Sequence, residues 1–288
     1  MIEAALRARG PYSLRLSARL GGDATRRMRD GRLGCVFQVE KKLEAAAAWQ
    51  RPDGTIMCRA ESEAGVEAMR FSLGLDDDHS EFLNRFAEDP LLRHAVRRLR
   101  GLRPLRLATV TQALLRAVCG QLITASHARA IERKVIRAAT PELPGTGLHA
   151  APTPATMARF SPAELKLYGL GIRRATALVR LCRGLDLEGL RAVPTSAAAD
   201  RLERERGLGP WSAGVVCLEG LGRYERGLVG DLGLVKLVSA LRGEGRRVEG
   251  WETAELLEPY GEWQGLASVY LLAGYHQGLI PVDRRAAA

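Results

Sequence analysis

The pattern of apolar and polar positions along the chain changes character near residue 76. Before that point, short apolar or alternating segments suit β-strands, and a Pro-Asp-Gly turn can close a hairpin between two of them. The strand-like segments are residues 13–17, 35–39 and 55–59, the turn is residues 51–54, and a helix suits residues 63–69. Residues 1–75 therefore predict a small α+β domain with an antiparallel sheet.

After residue 76, apolar side chains recur at helical spacing to the end of the chain. Ser80 can cap a first helix that carries Phe82, Leu83 and Phe86. Residues 141–155 are rich in proline and glycine and predict a loop. The other predicted helices are residues 109–119, 121–138, 161–167, 172–183, 197–205, 211–220, 232–241 and 263–275. Residues 76–288 therefore predict an all-helical body in two lobes, without tandem repeats.

The charge of the chain favours a polyanionic partner. Its 43 Lys and Arg residues outnumber 33 Asp and Glu residues, which gives a net charge of +10. Such an excess suits phosphate binding, although a basic, solubilising surface has the same composition. No segment is long and apolar enough for a membrane span, and residues 1–10 lack a signal-peptide core. We therefore expect a cytoplasmic protein.

The five cysteines exclude several kinds of metal site. They are far apart, and no Cys-x-x-Cys or Cys/His spacing of a zinc or iron–sulfur site occurs. Cys119, Cys182 and Cys217 lie in apolar helical patterns. We expect these three to be buried free thiols.

Two glycines separate two predicted helices at Gly207-Leu208-Gly209. Glycine permits positive φ angles and a close approach of the backbone to a partner. Backbone N–H groups beside a helix N-terminus can bind a phosphate oxygen, and Pro210 suits the first turn of the next helix. In isolation, the same pattern is also that of an ordinary interhelical turn.

Asp231 lies about twenty residues further on, at the start of another helix. Leu234, Leu237, Val238 and Leu241 form the apolar face of that helix. Alone, Asp231 has the position of an ordinary N-cap residue. A carboxylate at this position is also stabilised by the positive end of the helix dipole, which suits a catalytic group.

Together, these two motifs resemble those of the helix-hairpin-helix DNA glycosylase superfamily. That superfamily has a Gly-hydrophobic-Gly hairpin, a helix, and then a catalytic Asp that begins another helix. The chain is most similar to the bacterial 3-methyladenine DNA glycosylase II branch, which also carries a small sheet domain at its N-terminus. Residues 119–123, 170–175 and 230–236 resemble further segments of that branch.

The resemblance implies base excision from double-stranded DNA by a monomer that flips the damaged base out of the helix. Asp231 would stabilise the positive charge that develops on the sugar. Leu122 would be the wedge that fills the gap in the duplex, with Gln121 beside it. Gly207, Gly209 and Lys236 would contact the DNA backbone. In a bacterial cell, such a protein would be associated with the nucleoid through its DNA.

The resemblance also assigns a base pocket and a cation site. Trp211 occupies the position of the nucleophilic Lys in bifunctional members, so lyase activity should be absent. Val215 and Leu272 would line the pocket beside it. No cofactor is required, but a sodium or potassium ion can occupy the hairpin in this superfamily. The matching backbone carbonyls are those of Glu203, Glu205 and Leu208.

The chain departs from the branch in its aromatic residues and in one acidic residue. The branch has several pocket aromatics, whereas aromatic residues form only 5% of this chain, so the range of lesions is less defined than the reaction. Gly230 also stands where a second acidic residue is usual. Either the pocket is more open and aliphatic, or another aromatic residue supplies the stacking surface, the candidates being Tyr12, Phe37, Trp263 and Tyr270.

Two alternative functions stay open at this point. A non-catalytic DNA-binding protein could use the hairpin alone, but the spacing of Asp231 argues against it. A bifunctional glycosylase/lyase for oxidised bases would need an amine where Trp211 stands. The prediction is therefore a monofunctional glycosylase for alkylated purines of the 3-methyladenine and 7-methylguanine type.

Overall fold

The computed structural model describes residues 1–19, 22–40, 42–243 and 248–282, and it begins with a five-stranded antiparallel sheet. The strand order is β1-β5-β4-β3-β2, and every neighbouring pair is antiparallel. The strands are β1 (Ile2–Leu6), β2 (Arg26–Arg29), β3 (Arg32–Val39), β4 (Lys42–Gln50) and β5 (Ile56–Ala60). The predicted N-terminal sheet is confirmed, and residues 51–54 join the β4–β5 hairpin as expected.

The strand prediction for residues 13–17 was wrong, because this segment lies in a short helix, α1 (Leu14–Ala18). Ser13 caps the helix: its hydroxyl accepts a hydrogen bond from the Leu16 N–H. The buried residues are Leu14, Ser17 and Ala18. Their i, i+3, i+4 spacing places them on one face of a helix. Five residues are too few for an alternating pattern to distinguish the two conformations.

The predicted helix at residues 63–69 is confirmed as α2 (Glu63–Leu73). It begins at a Ser62 cap, ends at Gly74 in the left-handed conformation, and packs on the sheet. Met69 and Leu73 from the helix join Leu33 and Ile56 from the sheet in one apolar cluster.

The rest of the chain is mainly helical, as predicted. The helices are α3 (Ser80–Arg85), α4 (Arg93–Arg98), α5 (Val110–Gly120), α6 (Ala125–Ala139), α7 (Pro154–Met157), α8 (Pro162–Leu167), α9 (Ile172–Gly184), α10 (Thr195–Glu203), α11 (Pro210–Val215), α12 (Leu232–Arg242), α13 (Glu252–Leu257) and α14 (Gln264–Gln277). A π-helical segment continues α11 over Val216–Leu221, and 3-10 segments cover Glu188–Ala192 and Glu258–Trp263.

The helical body differs from the sequence prediction in several details, and its helices α4, α7 and α13 were not predicted. The body also contains a two-stranded sheet, β6 (Glu142–Leu143) and β7 (Leu148–His149), inside the predicted loop. The helix predicted from residue 121 begins only at Ala125, because Thr124 caps it and residues 121–123 form a turn. Ser80 is the first residue of α3 rather than its cap, and its N–H donates to Asp78.

Helix α5 forms the centre of the body. Every residue from Val110 to Cys119 is buried, and the helix packs against α6, α9 and α11. Its last residue, Gly120, is partly exposed. The C-terminal end of α5 therefore reaches the surface between these helices, and this position organises the candidate site.

A buried ionic cluster connects the N-terminal part of the chain to α5. The Arg116 guanidinium, on α5, forms ion pairs with Asp23, Glu132 and Glu219. Burial of several charges is stabilising only when each charge has partners. The proposed division into domains at residue 76 stays a prediction.

The five cysteines are free and buried, which confirms the expectation for Cys119, Cys182 and Cys217. Within the described ranges, no helix combines the length and the apolarity that crossing a membrane requires.

Candidate active site

The Gly-Leu-Gly segment forms a tight hairpin between α10 and α11. Gly207 has a φ of +96°, and Gly209 is the N-terminal cap residue of α11. Leu208, between them, is buried and anchors the turn in the core. Arg180, on α9, donates to the Glu205 carboxylate at 2.6 Å and to the Arg206 carbonyl oxygen at 3.0 Å. The hairpin is therefore rigidly held, with Gly207 exposed to solvent.

The backbone carbonyls proposed for a cation belong to this same turn. The Glu205 carbonyl oxygen accepts a hydrogen bond from the Leu208 N–H at 3.0 Å, and a carbonyl oxygen can accept a second interaction. Among the described residues, no group of three or more His, Cys, Asp or Glu side chains could hold a metal ion. The cation site at Glu203, Glu205 and Leu208 stays a prediction.

Asp231 is the N-cap residue of α12, as its sequence position predicts. One carboxylate oxygen, Oδ1, accepts a hydrogen bond from the Gly233 N–H at 2.8 Å. The preceding residue, Gly230, has a φ of +88°, and its N–H donates to the Thr253 hydroxyl at 2.7 Å. The backbone on both sides of Asp231 is therefore fixed, and the carboxylate lies at the positive end of the helix dipole.

The second oxygen of Asp231 is held by Trp211. The indole Nε1–H donates to Oδ2 at 3.0 Å, which joins the beginning of α11 to the beginning of α12. Both side chains are partly buried. A carboxylate has about four lone-pair positions, so two remain after these contacts. The arrangement leaves Asp231 oriented but still able to interact with a further group.

The opposite end of the Trp211 ring packs against the end of α5. A Cβ atom placed on Gly120 would lie 2.6 Å from Cη2 of Trp211, which no real Cβ contact tolerates. Only glycine at position 120 therefore permits the observed position of the indole. Gly120 lies in the segment 119–123 that resembles the glycosylase branch, but the resemblance implies no role for it.

The predicted wedge residues have different environments. Leu122 is 89% exposed and has a φ of +58°, a left-handed conformation that is rare for a non-glycine residue. The Gln121 side-chain amide instead donates to the Gly207 carbonyl oxygen at 2.8 Å and to the Ser212 hydroxyl at 3.1 Å. The structure thus brings the wedge segment, Gln121 and Leu122, against the hairpin, and the Leu122 side chain projects into solvent.

The predicted pocket residues Val215 and Leu272 lie on α11 and α14, respectively. Val215 is buried in the core on α11, and Leu272 is partly buried. A Cβ atom on Gly233 would lie 2.5 Å from Cδ2 of Leu272, so this side chain covers the first turn of α12. Their role in holding a base stays a prediction.

The other aromatic candidates do not lie beside Trp211. Trp263 stacks on Tyr224, and Tyr270 is fully buried and packs against Phe82. Tyr12 and Phe37 belong to the N-terminal part of the structure, where Phe37 joins the sheet cluster. Among the described residues, no aromatic ring packs on Trp211, because the core uses these other rings.

Lys236 is exposed on α12, five residues after Asp231. Among the residues that the structure describes, no Lys or Arg side chain forms an ion pair with Asp231. Arg174, in the first turn of α9, bonds to the backbone carbonyls of Cys119 and Gln121. That contact could not be recognised from the charge pattern.

The chain is similar to known DNA glycosylases in sequence. No family model matches it, but it is 27% identical over 204 residues to a DNA-3-methyladenine glycosylase from Bacillus subtilis. The match covers 68% of this chain and 67% of the Bacillus protein.

Two solved structures share nearly the whole fold. The 3-methyladenine DNA glycosylase from Archaeoglobus fulgidus superposes with a TM-score of 0.82 at 20% identity, over 96% of this chain and 99% of that one. The 8-oxoguanine glycosylase/lyase from Clostridium acetobutylicum, in complex with double-stranded DNA, gives a TM-score of 0.77 at 19% identity over the same shares. At these identities, both likenesses concern the fold alone.

Proposed function

We propose that the chain belongs to the helix-hairpin-helix superfamily of DNA glycosylases and that it is a monofunctional enzyme for alkylated purines. Acting as a monomer, it would hydrolyse the N-glycosidic bond of bases such as 3-methyladenine and 7-methylguanine in double-stranded DNA. The observation that carries this proposal is the hydrogen bond between the Trp211 indole and the Asp231 carboxylate.

Asp231 supplies the charge that the reaction needs. Cleavage of the N-glycosidic bond produces positive charge on C1′ and O4′ of the sugar, and a fixed carboxylate stabilises that charge. The same carboxylate can orient the attacking water or accept its proton. Because water is the nucleophile, the reaction needs no cofactor.

Among the residues that the structure describes, no Lys side chain contacts the Asp231 carboxylate, which supports a monofunctional reaction. A lyase needs an amine that forms a Schiff base with the sugar. Here the side chain that contacts Asp231 is an indole, and Lys236 is exposed further along α12. The damaged base therefore leaves by hydrolysis, and the DNA strand stays intact.

Two features support alkylated purines as substrates. These bases are already cationic and leave readily, so a single carboxylate is sufficient. The electron-rich face of Trp211 also attracts a cationic base. The sequence relative from Bacillus subtilis is named for 3-methyladenine, which agrees with this substrate class.

The surface around Asp231 suits a flipped nucleotide. Gly207 and Gly209 would present backbone N–H groups to a DNA phosphate, Lys236 would add a positive charge, and the exposed Leu122 would fill the gap in the duplex. We propose that the carbonyls of Glu203, Glu205 and Leu208 bind a sodium or potassium ion that stiffens the hairpin.

A base-release assay on methylated DNA tests this function. We expect wild-type protein to release 3-methyladenine or 7-methylguanine, and Asp231→Asn to abolish release while DNA binding is kept. Full activity of the Asn variant would contradict the mechanism. DNA binding by the wild type without release of any base would support a non-catalytic binding protein instead.

A second candidate is a glycosylase/lyase for oxidised bases, because the fold also matches the Clostridium enzyme. Borohydride trapping separates the two functions. We expect no covalent adduct with DNA, whereas a trapped adduct together with strand cleavage at 8-oxoguanine would establish the lyase. A known bifunctional glycosylase serves as the positive control.

A further inference from the structure

The exposed Leu122 needs support from its surroundings because its backbone is strained. Its left-handed φ of +58° is unfavourable for a side chain with a Cβ atom, and its side chain packs on little, since 89% of it is exposed. Such a conformation persists only when neighbouring contacts hold the backbone in place. One contact is the Gln121 amide on the Gly207 carbonyl oxygen.

Arg174 provides two further contacts to the backbone that precedes Leu122. Its Nη1 donates to the Cys119 carbonyl oxygen at 3.3 Å and to the Gln121 carbonyl oxygen at 3.1 Å. These carbonyls lie at the C-terminal end of α5, where carbonyl groups lack partners in the helix and a positive charge is favourable. The guanidinium thus fixes the backbone at Cys119 and Gln121, directly before Leu122.

A second Gly-Leu-Gly hairpin places Arg174 at this point. Gly169-Leu170-Gly171 repeats the tripeptide at 207–209: Gly169 has a φ of +100°, Leu170 is buried, and Gly171 is the cap residue of α9. Arg174 is the third residue of α9. It is partly buried, whereas its neighbour Arg173 is exposed.

We propose that Arg174 is a positioning residue for base flipping, which it serves by holding Leu122 in the conformation that enters the duplex. This inference rests on the proposed glycosylase function. Arg174 binds the carbonyl oxygens of Cys119 and Gln121 rather than a DNA phosphate. The second hairpin, residues 169–171, positions Arg174 for this contact.

Comparison of two DNA substrates tests the proposal. In one duplex the alkylated base is in a normal pair, and in the other it is opposite a mismatched base. A mismatched alkylated base flips out of the helix more easily. We expect Arg174→Ala to lower the single-turnover excision rate about tenfold on the paired substrate, as loss of hydrogen bonds to a charged group does. On the mismatched substrate we expect a loss of about twofold or less.

Arg173→Ala is the matched control, because it removes the same charge from the next residue without removing the carbonyl contacts. We expect it to change both rates by a similar factor. Arg174→Lys keeps the charge but offers a compact ammonium, so it should restore only part of the rate on the paired substrate. Equal losses for Arg174→Ala on both substrates, or none, would overturn the proposal.

A second readout does not depend on the lesion or on excision. In the Asp231→Asn background, 2-aminopurine at the target position fluoresces more strongly when it is unstacked. We expect Arg174→Ala and Arg174→Lys to reduce this increase at saturating protein, and Arg173→Ala to leave it unchanged. Unreduced fluorescence in folded Arg174 variants would overturn the inference, whereas wild-type protein that releases no base would overturn the proposed function.

Discussion

The Nε1–H group of Trp211 donates to Oδ2 of Asp231 at 3.0 Å, which joins two helix N-termini that are twenty residues apart in the sequence. Asp231 also accepts from the Gly233 N–H, so each carboxylate oxygen has one fixed donor. Trp211 therefore has a role besides any contact with a base, since it orients the group that faces the sugar. Preorganised groups of this kind stabilise transition-state charge without rearrangement during the reaction.

Trp211→Phe should lower the excision rate while DNA affinity stays nearly unchanged. The ring is kept, but the hydrogen bond to the carboxylate is lost. We expect a decrease in the single-turnover rate on the order of tenfold to a hundredfold, the usual range for a hydrogen bond to a charged group. Binding to an abasic-site duplex is the control. A wild-type rate for this variant would show that the indole N–H is dispensable.

Gly120→Ala should affect catalysis although residue 120 lies more than a hundred positions before Asp231 in the chain. A methyl group there would lie 2.6 Å from Cη2 of Trp211, so the indole must move away from its place beside the carboxylate. We expect reduced excision together with altered tryptophan fluorescence. Gly184→Ala is the matched control, because a Cβ at the end of α9 meets no atom within 4 Å. Equal effects of both variants would contradict the prediction.

Leu122→Gly should separate stability from function. Glycine tolerates the left-handed conformation, so the substitution relieves strain of about 1 kcal/mol and removes a side chain that contributes little packing. We expect unchanged or slightly raised thermal stability, measured by calorimetry, and a clear loss of excision from paired DNA. A variant that is markedly less stable would indicate that Leu122 is a packing residue.

Gly209→Ala should weaken DNA binding without harming the fold. The φ of Gly209 is −134° and a Cβ there meets no atom within 4 Å, so alanine fits the free protein. The added methyl group would stand where a phosphate approaches the hairpin. We expect weaker binding to damaged and undamaged DNA alike. The slope of log affinity against log salt should fall by about 0.9 for one lost phosphate contact. Unchanged affinity would mean that the hairpin does not contact DNA.

The buried ionic cluster predicts loss of stability in acid. Burial alone would raise the pKa of Asp23, but Arg26, Arg116 and hydrogen bonds from Thr25 outweigh it, so the pKa of this carboxyl is lowered from 3.8. In the same way, Arg116 and Arg129 outweigh burial and lower the pKa of Glu219 from 4.5. Both groups therefore stabilise the fold above these ordinary values, and this stabilisation is lost as the pH falls below them.

Denaturant unfolding between pH 7 and pH 3 measures this effect. We expect Asp23→Asn to cost about 3–5 kcal/mol at neutral pH, because Arg116 loses a buried partner, and to reduce the decline in acid. Glu67→Gln, at an exposed position on α2, is the control and should change both properties far less. A neutral-pH stability for Asp23→Asn that matches the wild type would contradict the prediction.

Local sequence determined much of this fold. The period of the apolar residues predicted the central helix α5 and the helix after Asp231. In that second helix Leu234, Leu237 and Val238 are buried as expected, whereas Leu241 is exposed. The turn at residues 51–54 and the hairpin at 207–209 were also readable, because proline and glycine restrict or free the backbone whatever surrounds them. The conformation of short segments such as residues 13–17 could not be predicted, since five residues fit both a strand and a helix.

The arrangement of the site was decided by tertiary structure. The sequence placed Asp231 at a helix start, but the hydrogen bond from Trp211, the fit of that ring against Gly120, and the contacts of Arg174 join residues that are far apart in the chain. No periodic pattern encodes such contacts, because they depend on how α5, α9, α11 and α12 pack. Local order follows from neighbouring residues, whereas the orientation of a catalytic side chain follows from which helix ends meet in space.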